Sequence, residues 1–441
     1  MSEEEAEKSI RLKERRRNFI LCVLNGSFFM LSMIFCRMDV VLSGFVFYLT
    51  GSKVMVGLLP VISWAGWLLP QGIVPWFVEH KERKKPAFLV SAVMRISAWT
   101  GIGVGVLLSA RAEPGRIFIF FVIFFSLSSL GTGLSGVPFF EIISKLFPLE
   151  ERGRLLGWRR GSGGLFAVPA LMLVLYVFSE KSPIAFPYNY GILFSGGALA
   201  IFASSTSFLL IREPVEPVVR AREPFKKYVL RGMLLLRTNP DLRRFILYRI
   251  CFALGMMTWA FYMPFAIERL GAPRSATGLF LIVVLLSELT GSIFWGHFAD
   301  KYGNRMLLIG IALVAFFAPV FALFAPRIPL REIDFFGQIF GTINSQVLFL
   351  VLSFAVSGAV SGGQIIGSAA YMLEIAPRRR RPTFIGFTNL FALPLVFTGL
   401  VAGLISEHLG FEMAFLLAAG FSIVSIFVAR TLREYRDTNH G

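Results

Sequence analysis

The sequence predicts an all-α polytopic membrane protein, in which twelve transmembrane helices form two six-helix bundles related by pseudo-twofold symmetry. Composition is the first observation. Of 441 residues, 55% are hydrophobic and 16% are charged, whereas soluble domains carry about 45–50% apolar and about 25% charged residues. The second observation is that apolar runs recur along the chain, near the length of about 20 residues that a helix needs to cross a bilayer. The third is an internal repeat.

Hydropathy divides the chain into twelve spans, and the longest polar segment between them, residues 212–244, separates six spans from six. We therefore predict a first bundle at 1–212, a cytoplasmic linker at 213–243 and a second bundle at 244–441. The spans are numbered in chain order and lie at about 19–46, 54–77, 87–108, 117–144, 155–178, 190–211, 245–267, 276–296, 306–325, 347–375, 384–406 and 413–429.

The basic residues fall mainly on one side of the predicted membrane. The net charge of +17 would suggest a nucleic-acid partner in a soluble chain. With both termini inside, however, 33 Lys and Arg residues lie on the inner side, counting Arg159 and Arg160 near the start of span 5, and 8 lie in the outer loops, while Arg37, Arg95 and Arg249 are counted within spans. By the positive-inside rule this bias predicts cytoplasmic termini. We expect a monomer in the cytoplasmic (inner) membrane whose partners are the lipid bilayer and a small solute, with no nucleic acid.

Two further features concern processing and cysteine chemistry. The charged segment before span 1 lacks a small-residue cleavage site, so we expect an uncleaved first helix rather than a signal peptide. Cys22, Cys36 and Cys251 all lie within spans and have no metal-ligand spacing. Such thiols are typical of small core hydrophobes.

The two halves of the chain resemble each other at two fixed sequence offsets, which predicts a parallel repeat about an axis along the membrane normal. The first offset relates Leu49 to Leu270, Gly57 to Gly278, Glu79 to Asp300, and Lys84 to Arg305. The second offset is slightly longer and relates Pro148 to Pro377, Arg152 to Arg381, and Gly157 to Gly386.

The loop between spans 8 and 9, "GHFADKYGNR", carries a recognisable signature. It resembles the pattern G-x-x-x-D-[RK]-x-G-[RKN]-[RK] that the Major Facilitator Superfamily has between the second and third helices of each half. The matching positions are Gly296, Asp300, Lys301, Gly303 and Arg305. The first-half copy, "PWFVEHKERK", is degenerate and retains Glu79, Arg83 and Lys84. The resemblance covers nearly the whole chain and implies the fold of that superfamily.

Each residue of the signature has an expected role. Gly296 leaves room for a close helix approach, and Gly303 can adopt the positive φ of a sharp turn. Asp300 is placed to accept hydrogen bonds from Arg305 and from a helix N-terminus, where carboxylates are favoured. The resemblance implies that this helix is span 11 and that the contact latches an inner gate. The alternative is an ordinary basic inner loop.

Ionisable residues within spans are candidates for the solute or proton-coupling site, because a charge at a helix centre costs about 2.5–3.5 kcal/mol. Arg95 and Glu288 lie near mid-depth, and a carboxyl group in hydrocarbon favours its protonated form, which suits proton coupling. Arg37 and Asp39 are two residues apart, about 200° around a helix, so we expect that they do not pair and that only one of them faces the central cavity. Arg249 is near the inner end of span 7. Each of these residues could instead be structural.

Two weaker expectations concern a local pair and the aromatic residues. Glu141 and Lys145 are four residues apart near the inner end of span 4, which favours a local structural pair. Trp64, Trp259 and Tyr262 are candidates for lining a solute pocket, although most aromatic residues in such a chain face lipid or pack in the core.

The predicted function is a secondary active transporter that moves a small solute by alternating access, with proton coupling. No nucleotide-binding loop, metal-ligand cluster or nucleophile elbow occurs, so we expect no enzymatic activity, no metal and no cofactor. A lipid or drug exporter of the same fold and a transporter-like sensor without flux are the alternatives. The arginines within spans favour an anionic or zwitterionic solute.

Overall fold

The computed structural model describes residues 3–78, 81–108, 113–215, 237–334, 340–376 and 391–434, together with the single residues 234, 384 and 388. Within these residues, eleven helical segments are long and apolar enough to cross a membrane. A shorter apolar segment, Leu393–His408, lies at the position of span 11. The prediction of an all-helical, twelve-span architecture is therefore confirmed.

The spans have the following bounds in the structure. Span 1 consists of a helix, a π-helical turn and a second helix, at Glu3–Phe35, Met38–Leu42 and Ser43–Thr50. Spans 2 to 6 are Lys53–Val78, Lys85–Leu108, Pro114–Leu146, Leu149–Phe178 and Tyr188–Leu209. Span 7 comprises Pro240–Gly255, a 3₁₀ turn at Trp259–Phe261 and Tyr262–Leu270. Spans 8 to 10 are Ala276–Tyr302, Asn304–Phe324 and Ser345–Ile375, and span 9 ends in a 3₁₀ turn, Ala325–Arg327.

The remaining elements complete the second half. Span 11 includes a 3₁₀ turn at Leu393–Phe397 and the helix Thr398–His408, and span 12 is Phe411–Arg430. Between spans 9 and 10, strand β1 (Glu332–Asp334) pairs antiparallel with strand β2 (Thr342–Asn344). This hairpin lies on the predicted outer side.

Local sequence determines where several helices begin. The side chain of Asn239 accepts hydrogen bonds from the backbone N–H groups of Asp241 and Leu242, and Pro240 occupies the first helical position. This is the usual chemistry of a helix start, because Pro lacks the N–H that the first turn would leave without a partner. Gly303, with φ of 86°, forms the turn between spans 8 and 9. Few side chains other than glycine tolerate that conformation.

The chain forms two compact units. The first contains residues 1–37, 62–177 and 183–223, and the second contains 38–61, 178–182 and 224–441. The predicted outer ends of spans 1 and 2, and the segment after span 5, therefore belong to the same compact unit as spans 7 to 12.

A close approach of glycine to serine in each unit brings two helices together. In the first, a Cβ added to Gly66 of span 2 would lie 2.5 Å from the Cβ of Ser129 in span 4. In the second, a Cβ added to Gly358 of span 10 would lie 3.0 Å from the Cβ of Ser287 in span 8. Small residues allow such approaches and are typical of helix contacts within membranes.

The two crossings occupy equivalent positions of the repeat. The first offset relates Gly66 to Ser287, and the second offset relates Ser129 to Gly358. These are the same two offsets that relate the loops of the two halves. The repeat therefore extends from the loops to the packing of span 2 on span 4 and of span 8 on span 10.

The second crossing predicts a stability effect. A Cβ at Gly362 would lie 2.6 Å from the carbonyl oxygen of Glu288, which is backbone and cannot move aside. We expect Gly362→Leu to separate spans 8 and 10 and to lower the unfolding temperature of the detergent-solubilised protein, because overpacking costs about 1–3 kcal/mol or more.

The matched control is Gly420→Ala in span 12, where an added Cβ meets nothing within 4 Å. Gly420→Ala should leave the unfolding temperature unchanged or slightly raised, since alanine favours the helix. Equal unfolding temperatures for the two variants would contradict the crossing.

Candidate functional site

The loop between spans 8 and 9 is bound to the inner ends of spans 10 and 12. Asn304 Nδ2 donates to Glu374 Oε1 at 2.6 Å. Arg305 Nη2 donates to the carbonyl oxygen of Arg430 at 2.7 Å. That carbonyl lies in the last turn of span 12, where cations are favoured by the helix dipole. The loop signature therefore connects three spans of the second unit at their inner ends.

Asp300 and Lys301 are exposed in the last turn of span 8. The start of span 11 falls largely outside the described residues, so the predicted contact of Asp300 with that helix stays a prediction. Among the described residues, an added Cβ at Gly296 meets nothing within 4 Å, so the close helix approach expected there stays a prediction. Span 8 makes its close approach farther from the loop, where a Cβ on Gly291 would lie 2.7 Å from the Cα of Ala359.

The degenerate copy of the loop signature, between spans 2 and 3, belongs to a buried network of charges. Glu79 lies outside the described residues, and Arg83 is exposed. Lys84 is buried. Its Nζ lies 3.3 Å from Glu141 Oε2 and donates to the carbonyl oxygen of Val78 at 2.6 Å.

Glu213 is the centre of this network. Its carboxylate lies 2.9 Å from Lys145 Nζ, and the exposed fractions of the two side chains are only 2% and 7%. It also accepts hydrogen bonds from the backbone N–H groups of Lys84 and Lys85 at the start of span 3. A carboxylate at a helix N-terminus satisfies donors that have no partner within the helix.

These contacts correct the predicted local pair. Glu141 and Lys145 pair with Lys84 and Glu213 instead of with each other. In the sequence Glu213 falls at the start of the predicted linker, and in the structure it lies in the first unit. The internal repeat could have indicated Glu213, because the first offset relates it to Glu434. In the structure, a Cβ on Gly303 would meet the Glu434 carboxylate. A carboxylate thus lies at the start of span 3 and again at the start of span 9.

At the predicted outer side, Lys53 joins span 2 to three spans of the second half. Its Nζ lies 3.0 Å from Glu268 Oε1 at the end of span 7. Its backbone N–H donates to Glu407 Oε2 of span 11 at 2.8 Å. The ammonium group also lies 4.4 Å from the ring centroid of Phe411 at the start of span 12, a favourable cation–π distance.

Backbone contacts and a second polar contact reinforce this outer cluster. A Cβ on Gly57 would lie 2.5 Å from the carbonyl oxygen of Gly399, and one on Gly403 would lie 2.8 Å from that of Lys53. Elsewhere on the same side, Ser275 Oγ at the start of span 8 donates to Glu180 Oε1, which follows span 5, at 3.2 Å. All of these residues lie in the second unit.

Span 1 is interrupted at the position of its predicted charges. Its first helix ends at Phe35, Arg37 is non-helical, and a π-helical turn follows at Met38–Leu42. The predicted angular separation of Arg37 and Asp39 assumed a continuous helix, so it is wrong. Asp39 is buried, and its turn packs on spans 7 and 8, whereas Arg37 is half-buried.

Arg95 and Arg249 have no carboxylate partner among the described residues. Arg95 is buried beside Phe88, its Nε and Nη2 make no hydrogen bond, and Gly131 of span 4 packs on its Cγ. Arg249 is half-buried and donates from Nη1 to the carbonyl oxygen of Thr388 at 3.2 Å. Both guanidinium groups therefore face neutral groups within the span region.

A further arginine within a span, Arg159, was not among the candidates. Span 5 begins at Leu149, so Arg159 is ten residues along its helix. Its Nη1 donates to the carbonyl oxygen of Cys22 at 2.8 Å and to Asn25 Oδ1 at 2.9 Å. The guanidinium also lies 4.7 Å from the ring centroid of Phe139.

The other predicted site residues lie in different surroundings. Glu288 is half-buried on span 8, where its carbonyl oxygen accepts from Ser292. Trp64 is 47% exposed, and Trp259 is half-buried. Tyr262 is buried, stacks on Phe415 and bonds to Thr258, and its role in lining a pocket stays a prediction.

The buried network predicts that Glu213 stabilises the first unit. We expect Glu213→Gln to reduce the free energy of unfolding by about 3–5 kcal/mol, because it leaves the buried Lys145 ammonium without a counter-charge. Thermal unfolding in detergent measures the change. Glu332→Gln, in exposed strand β1, is the control, and Lys145→Met combined with Glu213→Gln should lose less than the sum of the two single changes. Strict additivity would contradict the pairing.

Comparison with known proteins agrees with this architecture. The family model of the Major Facilitator Superfamily matches residues 29–330 and 265–440. The uncharacterized protein Rv2209 of Mycobacterium tuberculosis is 24% identical over 295 residues, which cover 65% of this chain and 50% of that protein. The matched part thus spans half the length of this relative.

Two solved structures are similar in fold. A mutant of the nucleoside transporter NupG has a TM-score of 0.66 at 16% identity, covering 96% of this chain and 100% of that one. A D-xylose–proton symporter has a TM-score of 0.67 at 14% identity, covering 95% and 98%. These structures share the fold, and the family model, which matches nearly the whole chain, shows that the chain belongs to the Major Facilitator Superfamily.

Proposed function

We propose that the protein is a secondary active transporter that moves a small solute across the cytoplasmic membrane by alternating access. The observation that supports this most directly is the outer cluster around Lys53. Ends of spans 1 and 2, which belong to the first half of the sequence, pack in one compact unit with spans 7 to 12. We interpret this packing as a closed outer gate.

The chemistry of the cluster suits a gate that opens and closes. The Lys53 and Glu268 side chains are 13% and 35% exposed, so water can replace their partners when they separate. Ion pairs of this exposure are worth little, about 1 kcal/mol or less. The glycine contacts at Gly57 and Gly399 bury little side-chain surface. A modest difference in solute affinity between two states can shift such an equilibrium.

Proton coupling is the driving force that we propose. One structural relative is a proton symporter by name, and Glu288 and Asp39 are carboxylates that lie well inside the hydropathy bounds of spans 8 and 1. Moving one proton across a potential of about 100 mV supplies about 2.3 kcal/mol before any pH difference. With the termini inside, as the basic residues favour, the Lys53 cluster faces outward.

If the Lys53 cluster is a closed gate, breaking the Lys53–Glu268 pair should make Val56 more accessible from outside. Val56 is fully buried in the cluster region, and the three native cysteines are buried. We expect Lys53→Glu to repel Glu268 and to raise, about tenfold, the rate at which an external membrane-impermeant reagent modifies a cysteine at Val56. This factor corresponds to about 1.4 kcal/mol. Combining Lys53→Glu with Glu268→Lys should lower the rate again.

Lys181→Glu is the control, because Lys181 is an exposed lysine of the same side. A cysteine at Leu156, which is exposed on span 5 near the predicted inner side, reports the opposite change. Alternating access requires the Leu156 reporter to become less reactive when the Val56 reporter becomes more reactive. Two reporters that change independently would contradict the proposal.

Proton coupling predicts a pH effect on the same reporter. If protonation of Glu288 favours one state, the reactivity at Val56 relative to an exposed thiol should change between pH 5.5 and 7.5, and Glu288→Gln should remove that change. Glu332→Gln on the outer hairpin is the matched control. If Glu288→Gln keeps the wild-type pH profile, Asp39 becomes the candidate for proton coupling, and Asp39→Asn tests it. A wild-type pH profile in both variants would contradict proton coupling.

A further inference from the structure

We propose that Arg159, held by Asn25 and the carbonyl oxygen of Cys22, binds the oxyanion of an anionic solute, carboxylate or phosphate. The inference rests on the proposed transport function and names the class of its substrate. It starts from the position of Arg159, which lies ten residues along the helix of span 5 and three from the Ser162 hydroxyl that bonds to Ser27 of span 1.

The positive charge of Arg159 favours an anionic ligand. A guanidinium stays ionised in proteins, and every hydrogen-bond acceptor that the described residues offer to Arg159 is neutral. A positive charge among apolar spans with no carboxylate beside it favours an anion. Lys145, by contrast, has its counter-charge in Glu213.

The guanidinium of Arg159 is held in place by its hydrogen bonds. The bonds to Cys22 and Asn25 both use Nη1, which leaves Nε and Nη2 on the opposite edge. That edge is the two-donor fork that binds a carboxylate or phosphate in bidentate fashion. Asn25 is itself fixed, because its Nδ2 donates to the carbonyl oxygen of Ser204 at 2.9 Å.

The packing and burial of Arg159 also distinguish it from Arg95. A Cβ on Gly26 would lie 2.7 Å from Arg159 Nε, so only glycine lets the guanidinium lie against span 1. Arg159 is half-buried, whereas Arg95 is fully buried with two N–H groups that make no hydrogen bond. Arg159 is therefore less enclosed than Arg95, the arginine near mid-depth of the same unit.

The second unit offers an internal comparison. The second offset relates Arg159 to Thr388, and Arg249 of span 7 donates to the carbonyl oxygen of Thr388. Each unit thus places one arginine, bound to neutral acceptors, where its first span meets its fifth. The arginine comes from span 5 in one unit and from span 7 in the other, so the position of the charge recurs although the residue does not.

The experiment uses the full chain in detergent with a cysteine at Leu156, which is 49% exposed and one helical turn from Arg159. The rate of thiol modification is measured with inorganic phosphate or malonate, and with glucose or choline as neutral and cationic probes. Ionic strength is held constant with sodium chloride so that screening is equal. We expect an oxyanion to slow modification at least threefold, and glucose and choline to have no effect.

Variants separate this site from general electrostatics. Arg159→Gln should abolish the protection, Arg159→Lys should retain part of it because the charge remains without the fork, and Asn25→Ala should weaken it with the charge intact. Arg154→Gln removes an exposed arginine of the same helix and should leave protection unchanged.

Protection by neither oxyanion, or equal protection in Arg159→Gln, would overturn the proposal. Reciprocal reactivity of the Val56 and Leu156 reporters would in that case still support transport, so the two proposals fail separately.

Discussion

The cost of charge in hydrocarbon is the constraint on which this structure depends. An uncompensated charge at mid-span costs about 2.5–3.5 kcal/mol or more, and the chain meets that cost in two ways. Lys84 and Lys145 lie at the inner ends of spans and have carboxylate partners. Arg95 and Arg159 lie farther along their spans and contact only neutral groups among the described residues. The first arrangement fixes the fold, whereas the second leaves charge for a ligand.

The outer cluster contains glycine approaches of the same kind as the span crossings, at Gly57 and Gly403, and adds polar contacts to them. Where span 8 crosses span 10, glycine allows backbone to touch backbone, as at Gly291 and Gly362, and no side chain can adjust to a change in spacing. At Lys53 a partly exposed ion pair and one capped backbone N–H make the contact. Contacts of the second kind can be exchanged for water at little cost. The polar contacts of the outer cluster can therefore change at less cost than the glycine approaches of the spans.

Features that depend on local pattern could be predicted from the sequence: the twelve spans, the repeat and the turn at Gly303. Those that depend on tertiary contacts or on exact helix limits could not. The break after Phe35 separates Arg37 from Asp39, although the hydropathy is continuous across it. Glu213 looks like a linker residue until its distant partner Lys145 is known. Arg159 lies only four residues inside the predicted start of span 5, so it was counted with the inner charges until its contacts with Cys22 and Asn25 of span 1 were known.

The repeat itself indicates where function lies. Positions that pack are equivalent in the two halves, as Ser129 and Gly358 are. Polar positions differ between the halves. The second offset relates Lys145 to Glu374, but Lys145 pairs with Glu213, whereas Glu374 accepts a hydrogen bond from Asn304. Packing must satisfy the same geometry twice, whereas a solute has no such symmetry and needs different groups from each half. Departures from the repeat at polar, partly reachable positions are therefore the places to look for the solute, and Arg159 is one of them.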